Sequence, residues 1–224
     1  MYLEYWFDGG TAAGQVINLP SVTQESVTLR LKRVMDLAGA LALLVVLSPL
    51  FLIVAVIIKL TSPGPVFFWQ ERLGLNQRPF RMLKFRTMIP GAERQEAALQ
   101  HLQQGVFFKP KHDPRITPVG SVLRKYSIDE LPQLINVLRG EMSLVGPRPL
   151  FAFEVDRFIE WKPLRRFCMK PGLTGMWQVS GRSTTSDADR VRYDLEYVER
   201  WSLLLDLALL LKTVPAVLQG KGAV

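Results

Sequence analysis

The chain is 224 residues long, carries a formal net charge of +8 and is 48% hydrophobic, enough for one good-sized domain plus an anchor. Its single cysteine, Cys168, excludes an intramolecular disulfide and reads as a packing residue on a reducing, cytosolic face. Two histidines, His101 and His112, are too few for a histidine-rich metal site, and no zinc-finger spacing, RNP-like strand or basic heptad helix accompanies the positive charge; the expected partners are anionic headgroups or phosphate-bearing substrates, not nucleic acid.

Residues 1–29 contain no Lys or Arg and read as a variable lead-in. Arg30, Lys32 and Arg33 then form a basic collar before an uncharged apolar run of 22 residues, Leu37 to Ile58, interrupted by Ser48-Pro49. A straight helix of that length would just cross a hydrocarbon core of roughly 30 Å. Proline in mid-helix removes a hydrogen bond and bends or breaks the helix, and the Ser48 hydroxyl is a local partner for the backbone groups set free. Lys59, Arg72 and Arg78 balance the collar three against three, so the Lys/Arg bias that orients a simple span is missing. On physics alone a hairpin and a kinked span stand equal.

Ser62-Pro63-Gly64-Pro65 is a turn signal. Val66–Trp69 and Phe80–Thr87 read as short strands, and Ala92–Gln104 as a polar helix closed by Gly105. Pro118–Tyr126 and Glu130–Leu138 read as short helices on either side of Ser127-Ile128-Asp129. Gly146-Pro147-Arg148-Pro149 must be a rigid loop, Phe153–Trp161 reads as a short helix, and Pro171–Gly175 as a turn. Ser186 caps a helix running to about Trp201. The apolar tail Leu203–Leu218, interrupted by Asp206, Lys212 and Pro215, suits packing on the core or lying in a membrane interface.

The sharpest constellation is Arg124 to Pro132, in which Asp129 and Glu130 sit at a predicted helix start. Its bland reading is a capping box, Ser127-x-x-Glu130. Its chemical reading is an ionised carboxylate, favoured by the helix dipole and a nearby Arg, able to attack phosphorus or bind Mg²⁺. Arg124 lies five positions before Asp129, and Arg148 is flanked by prolines that hold it at little entropic cost, which suits a fork for phosphate oxygens. Lys84 and Arg86 add two cations on a probable strand. No Walker loop or G-x-G-x-x-G occurs.

These residues resemble the bacterial sugar transferases, also called monotopic phosphoglycosyl transferases. The matching segments include Lys32-Arg33-Val34-Met35-Asp36, Ser48-Pro49, Ser62-Pro63-Gly64-Pro65, Lys84-Phe85-Arg86-Thr87-Met88, Asp129-Glu130-Leu131-Pro132-Gln133, Gly146-Pro147-Arg148-Pro149 and Lys170-Pro171-Gly172-Leu173-Thr174-Gly175, within about residues 30–223. The resemblance implies a mostly helical α+β membrane-associated domain with a short β element: a lead-in at 1–29, a re-entrant helix at 30–60 bent at Ser48 and Pro49, and a catalytic domain at 61–224 ending in an interfacial amphipathic helix. Larger members carry extra spanning helices and a further domain upstream, so the chain is expected to be either a short form or, at 1–29, the remnant of a longer arrangement.

The resemblance also implies transfer of a sugar-1-phosphate from a UDP-sugar to polyprenyl phosphate with release of UMP, on the cytoplasmic face of the bacterial inner membrane. Asp129 would be the nucleophile of a covalent phosphosugar intermediate and Glu130 would assist with Mg²⁺ or the proton. Arg124 and Arg148, with Lys84 and Arg86 behind them, would hold phosphates, and Arg182 the nucleotide. The competing expectation is a non-catalytic basic membrane-surface protein that binds anionic lipids or recruits partners. The sugar and the oligomeric state, a homo-oligomer included, stay open.

Overall fold

The computed structural model describes residues 26–92, 113–155, 162–181 and 185–220. The expected helix Ala92–Gln104, the far end of Phe153–Trp161, the lead-in, both histidines and Arg182 lie largely or wholly outside them. Within them the chain is mostly helical, with two short two-stranded sheets, as α+β requires.

Helix α1 (Ser26–Val46) meets α2 (Ser48–Thr61) at a 60° bend. Pro49 has no N–H to offer the carbonyl one turn back, and the Ser48 hydroxyl donates to the Val45 carbonyl instead, at 2.8 Å. Among the described residues no single helix is long and apolar enough to cross a membrane; the bent pair satisfies the criteria of length and composition only together.

The basic collar belongs to the fold. Lys32, buried in α1, donates to Asp206 Oδ2 at 2.6 Å and to the Val145 carbonyl at 3.0 Å. Arg33 donates to the carbonyls of Val137 and Leu138, at 2.7 and 2.9 Å, where helix α4 (Leu134–Arg139) runs out of internal donors. Asp36 accepts from the Ser143 hydroxyl and the Leu144 N–H, both at 2.9 Å, at strand β3 (Ser143–Val145). Counting flanking charges could therefore not orient the apolar run: two collar cations are spent inside.

Strands β1 (Phe67–Leu73) and β2 (Pro79–Phe85) form an antiparallel hairpin, Phe67 opposite Phe85 and Leu73 opposite Pro79. The first strand runs four residues beyond its predicted end because Gln70–Leu73 complete that ladder. Helix α3 (Pro118–Lys125) is capped by Thr117, whose hydroxyl accepts from the Gly120 N–H at 2.9 Å. The predicted helix Glu130–Leu138 divides into a 3-10 segment, Ile128–Gln133, and α4, since Pro132 falls inside it. The predicted turn Pro171–Gly175 contains strand β4 (Gly172–Thr174), parallel to β3. After the single turn α5 (Ala152–Val155) and the short α6 (Met176–Val179), Ser186 caps α7 (Asp187–Arg200), its hydroxyl accepting from the Asp189 N–H. The tail is helix α8 (Leu203–Leu218).

One core joins α1, β3, α4, α7 and α8 through Ala40, Leu134, Val145, Tyr197 and Leu209. A second joins α2 to β2 and α3 through Val54, Ile58, Phe85 and Leu123, with Ile128 packed against it. Phe85 stacks on Phe67 and meets Phe51 of α2, each at 5.3 Å between ring centres. The second arm of the bent pair thus lies directly under the Ile128–Asp129–Glu130 segment.

Asp206 is wholly buried and receives Lys32, the Tyr197 hydroxyl at 2.7 Å and the Trp201 indole N–H at 3.1 Å. Asp206→Ala would strand the Lys32 ammonium, and the expected loss is about 3–5 kcal/mol. Denaturation of the solubilised protein measures it, and the double variant Lys32→Met/Asp206→Leu should recover most of that loss.

Candidate active site

Asp129 and Glu130 sit on the 3-10 segment, but not as a capping box. Ser127 has left-handed backbone (φ 53°) and makes no side-chain cap, whereas an N-cap residue needs extended backbone. The Glu130 carboxylate goes to Lys84 of β2, 2.9 Å from Nζ to Oε1. A tertiary ion pair has displaced the local pattern.

The two carboxyls are driven apart. Burial pushes Asp129 up to about 6, with Glu130 adding to the rise while Lys84 and Arg124 hold it back. Burial also raises Glu130, but Lys84, Arg148 and Arg72 outweigh it, and the group lies below its usual range. Neighbouring acids held on opposite sides of their ordinary values are the pattern that divides roles in an active site.

Arg124 projects from α3, held against the end of β2. The Thr87 carbonyl accepts from the Thr117 N–H at 3.0 Å, and a Cβ at Gly120 would come within 2.0 Å of that carbonyl oxygen. The Thr87 hydroxyl then accepts from Arg124 Nε at 2.9 Å. This fixes the guanidinium's orientation and leaves its terminal nitrogens uncommitted among the described residues.

Arg148 is fixed through its backbone. In its loop the Gly146 N–H donates to Thr174 O and the Pro147 carbonyl accepts from the Gly172 N–H, both at 2.9 Å, while Arg166 donates to the Arg148 carbonyl at 2.9 Å. Gly146 and Gly172 are so close that a Cβ on either would fall within 2.4 Å of the other segment's backbone. The Arg148 guanidinium lies over Trp177, 5.1 Å from the ring centre, and its Nε is buried with no hydrogen-bond partner among the described residues.

Arg86 is differently employed. Its terminal nitrogens donate to the carbonyls of Pro63 and Ser62 at 2.7 and 2.8 Å, securing the turn after α2, where Gly64 has φ 114°. Asp129, Glu130, Arg124, Arg148, Lys84 and Arg86 all line one cavity of about 990 Å³. Apolar side chains also line it: Leu43, Leu47 and Leu50 at the helix bend, and Leu210, Val214 and Leu218 of α8.

No group of three or more metal-binding side chains occurs among the described residues. Mg²⁺ characteristically takes one or two carboxylates and completes its shell with substrate phosphates and water, so adjacent Asp129 and Glu130 fit such an ion.

The profile of the family described as bacterial sugar transferase matches residues 27–220. The exopolysaccharide production protein ExoY of Sinorhizobium fredii is 44% identical over 200 residues, covering 86% of this chain and 87% of its own. The chain belongs to the bacterial sugar transferase family. The UDP-glucose:undecaprenyl-phosphate glucose-1-phosphate transferase of Caulobacter vibrioides is 44% identical over 199 residues (86% of this chain, 71% of that one). The undecaprenyl-phosphate galactose phosphotransferase of Salmonella typhimurium is 41% identical over 203 residues (86% and 41%).

In this sugar transferase, sequence reasoning missed Thr87, Trp177 and Arg190 as parts of the site. Thr87 stood in a matched motif without a role. Trp177 stands between Met176 and Gln178, where nothing local distinguishes it from a core aromatic. Arg190 was hidden among the charges of α7, although it is only 6% exposed and lines the cavity.

The raised Asp129 carboxyl has a consequence for stability. The folded protein holds that proton up to about 6, the unfolded chain only to 3.8, so stability falls as pH rises through this window. Asp129→Asn is expected to be more stable than the parent by about 1–3 kcal/mol above pH 6, with the difference vanishing below about pH 4. Denaturation midpoints at the two ends of the window check it.

Proposed function

We propose that this sugar transferase moves a sugar-1-phosphate from a UDP-sugar to a polyprenyl phosphate, releasing UMP, through a covalent intermediate on Asp129. The observation that carries the reading is the pair of adjacent carboxyls with opposed proton affinities, set among Lys84, Arg124 and Arg148 in a cavity that apolar side chains of α1, α2 and α8 also line. Relatives named for UDP-glucose, galactose and undecaprenyl phosphate support the substrate classes.

A carboxyl near 6 is ionised at neutral pH, yet more basic than an ordinary aspartate, and basicity matched to working pH favours reaction. The Asp129 oxygen attacks the phosphorus bearing the sugar, and the bond to the bridging oxygen breaks as UMP departs. The lipid phosphate then attacks the same phosphorus and regenerates the carboxylate. Dividing the transfer into two displacements keeps the UMP phosphate and the lipid phosphate from crowding one phosphorus together. Lys84 and Arg124 offset the charge around Asp129, and Arg148 offsets the charge on Glu130's side. Mg²⁺, held by Glu130 and Asp129, would neutralise donor phosphate charge.

Exposed apolar side chains support a seat in the bacterial inner membrane. Val45, Val46, Leu52, Ile53 and Leu60 of the bent pair, and Leu204, Leu211 and Leu218 of α8, are all exposed, more than water tolerates without a partner. In this reading the bend turns the pair back, both ends face the cytoplasm, and the site meets the lipid phosphate as the first membrane step of surface polysaccharide synthesis. A non-catalytic lipid-binding protein would have no use for the carboxyl pair.

Asp129→Asn is expected to lower both UMP release and lipid-linked sugar by on the order of 10³-fold or more while the protein stays folded. Full activity in that variant would remove Asp129 as nucleophile. For topology, Arg30→Cys and Thr61→Cys in a Cys168→Ala background should label from the same side of sealed vesicles. Labelling from opposite sides would refute the hairpin.

A further inference from the structure

The cavity that holds Asp129 reaches the exterior at two apolar elements. Leu43 at the helix bend lines it and is 40% exposed; Val214 and Leu218 of α8 line it and are 60% and 72% exposed. A side chain that borders a cavity and is also exposed lies at its opening, so one opening is edged by the bend and by the second half of α8. On α8 the lining residues Leu210, Val214 and Leu218 recur every four positions, a single helix face. Thr213 lies in the same row, but its hydroxyl is already engaged. It donates to the Leu209 carbonyl at 2.7 Å and meets the Thr174 hydroxyl at 2.7 Å, so it offers a methyl group without an unmet hydrogen bond. Lys212, the one cation of α8, does not line the cavity. Around the opening, Val45, Val46, Leu207 and Leu211 are exposed as well.

The same cavity therefore holds charged groups, Asp129 and Arg124 among them, and an apolar mouth on the flank assigned to the membrane. A lipid phosphate has the same two ends. When its phosphate reaches Asp129, the chain attached to it must leave the cavity, and a leucine-edged opening in hydrocarbon is an exit that needs no water. We propose that the polyprenyl chain of the acceptor lies in this opening, between the helix bend and the second half of α8, with its phosphate end toward Asp129. Lipid tails are as apolar as leucine, so entering the lane from the bilayer gains little affinity. What the lane supplies is direction: it presents the phosphate to one site in one orientation, which is worth most in rate. The first displacement, on the UDP-sugar, involves no lipid and does not use the lane.

This inference rests on the transferase reading, and the experiment separates the two. Tryptophan is placed in the opening from either wall, by Val214→Trp and by Leu47→Trp, and outside it by Leu211→Trp, at a position 75% exposed that does not line the cavity. Single-turnover UMP release without lipid, from whichever of UDP-glucose and UDP-galactose the parent accepts, reads the first displacement. The kcat/KM for undecaprenyl phosphate reads the second. Val214→Trp and Leu47→Trp should leave UMP release within twofold of the parent and lower acceptor kcat/KM about 10- to 100-fold, while Leu211→Trp changes neither. Acceptor kcat/KM within twofold of the parent in either plugged variant, an equal loss in both displacements, or the same loss in Leu211→Trp would overturn the lane. The occupant is read separately, with a benzophenone attached at Val214→Cys in the Cys168→Ala protein, in phospholipid vesicles holding a small share of undecaprenyl phosphate. Cross-linking to undecaprenyl phosphate should exceed its share of the membrane; labelling in proportion to that share would mean that ordinary acyl chains fill the opening, and would overturn the assignment. Absence of UMP release from every UDP-sugar by the unaltered enzyme would instead sink the transferase reading.

Discussion

The buried ion pair between Lys32 and Asp206 is the contact on which the rest of the architecture depends. It ties the first described helix to the last across almost the whole chain, and Val145, Tyr197 and Trp201 complete the hydrogen bonds that two desolvated charges require. Asp36, one turn further along α1, grips the start of β3 in the same way. With α1 held at two points against β3 and α8, the 60° bend at Ser48-Pro49 brings α2 to pack on β2 and α3. The apolar element and the carboxyl pair are therefore parts of one rigid construction.

The same economy governs the site. Arg124 and Arg148 are positioned by backbone or by a neutral group, whereas Lys84 is held by the Glu130 carboxylate. Arg124 is aimed by the Thr87 hydroxyl and Arg148 by a loop whose glycines touch β4. Where an arginine does serve the scaffold, as Arg86 does for Ser62 and Pro63 or Arg166 for Asp194 and the Arg148 carbonyl, a terminal nitrogen is engaged by a carbonyl or a carboxylate. The separation of the two classes could not be read from residue type. It needed the hydrogen bonds.

Local rules carried the sequence far. The ends of α8 and the Ser186 cap fell where pattern and capping chemistry put them, because both depend on residues within a turn of each other. The strands β3 and β4 were illegible for the opposite reason. Each has three residues, one lies inside a Pro/Gly-rich stretch that reads as a turn, and they pair in parallel across a long sequence separation. The Ser127-x-x-Glu130 pattern failed because Lys84, remote in sequence, offered Glu130 a stronger partner than a backbone N–H. Arg190 failed similarly: on α7, with Asp187, Asp189 and Arg192 around it, nothing local marks it as the charge that is buried.

The raised Asp129 carboxyl explains why such a site needs so firm a frame. A carboxylate 7% exposed, with a second acid beside it, works against the folded state once pH exceeds about 6. A flexible segment would relieve that cost by turning the carboxylate into water. The 3-10 segment cannot readily do so, because Ile128 is packed on α2 and Phe85 while Glu130 is held by Lys84. A buried carboxylate can stay basic and close to neutral pH only where its surroundings are too stiff to let it escape. The bent helix then supports the chemistry by the pressure of its second arm, as well as by the membrane seat proposed for it.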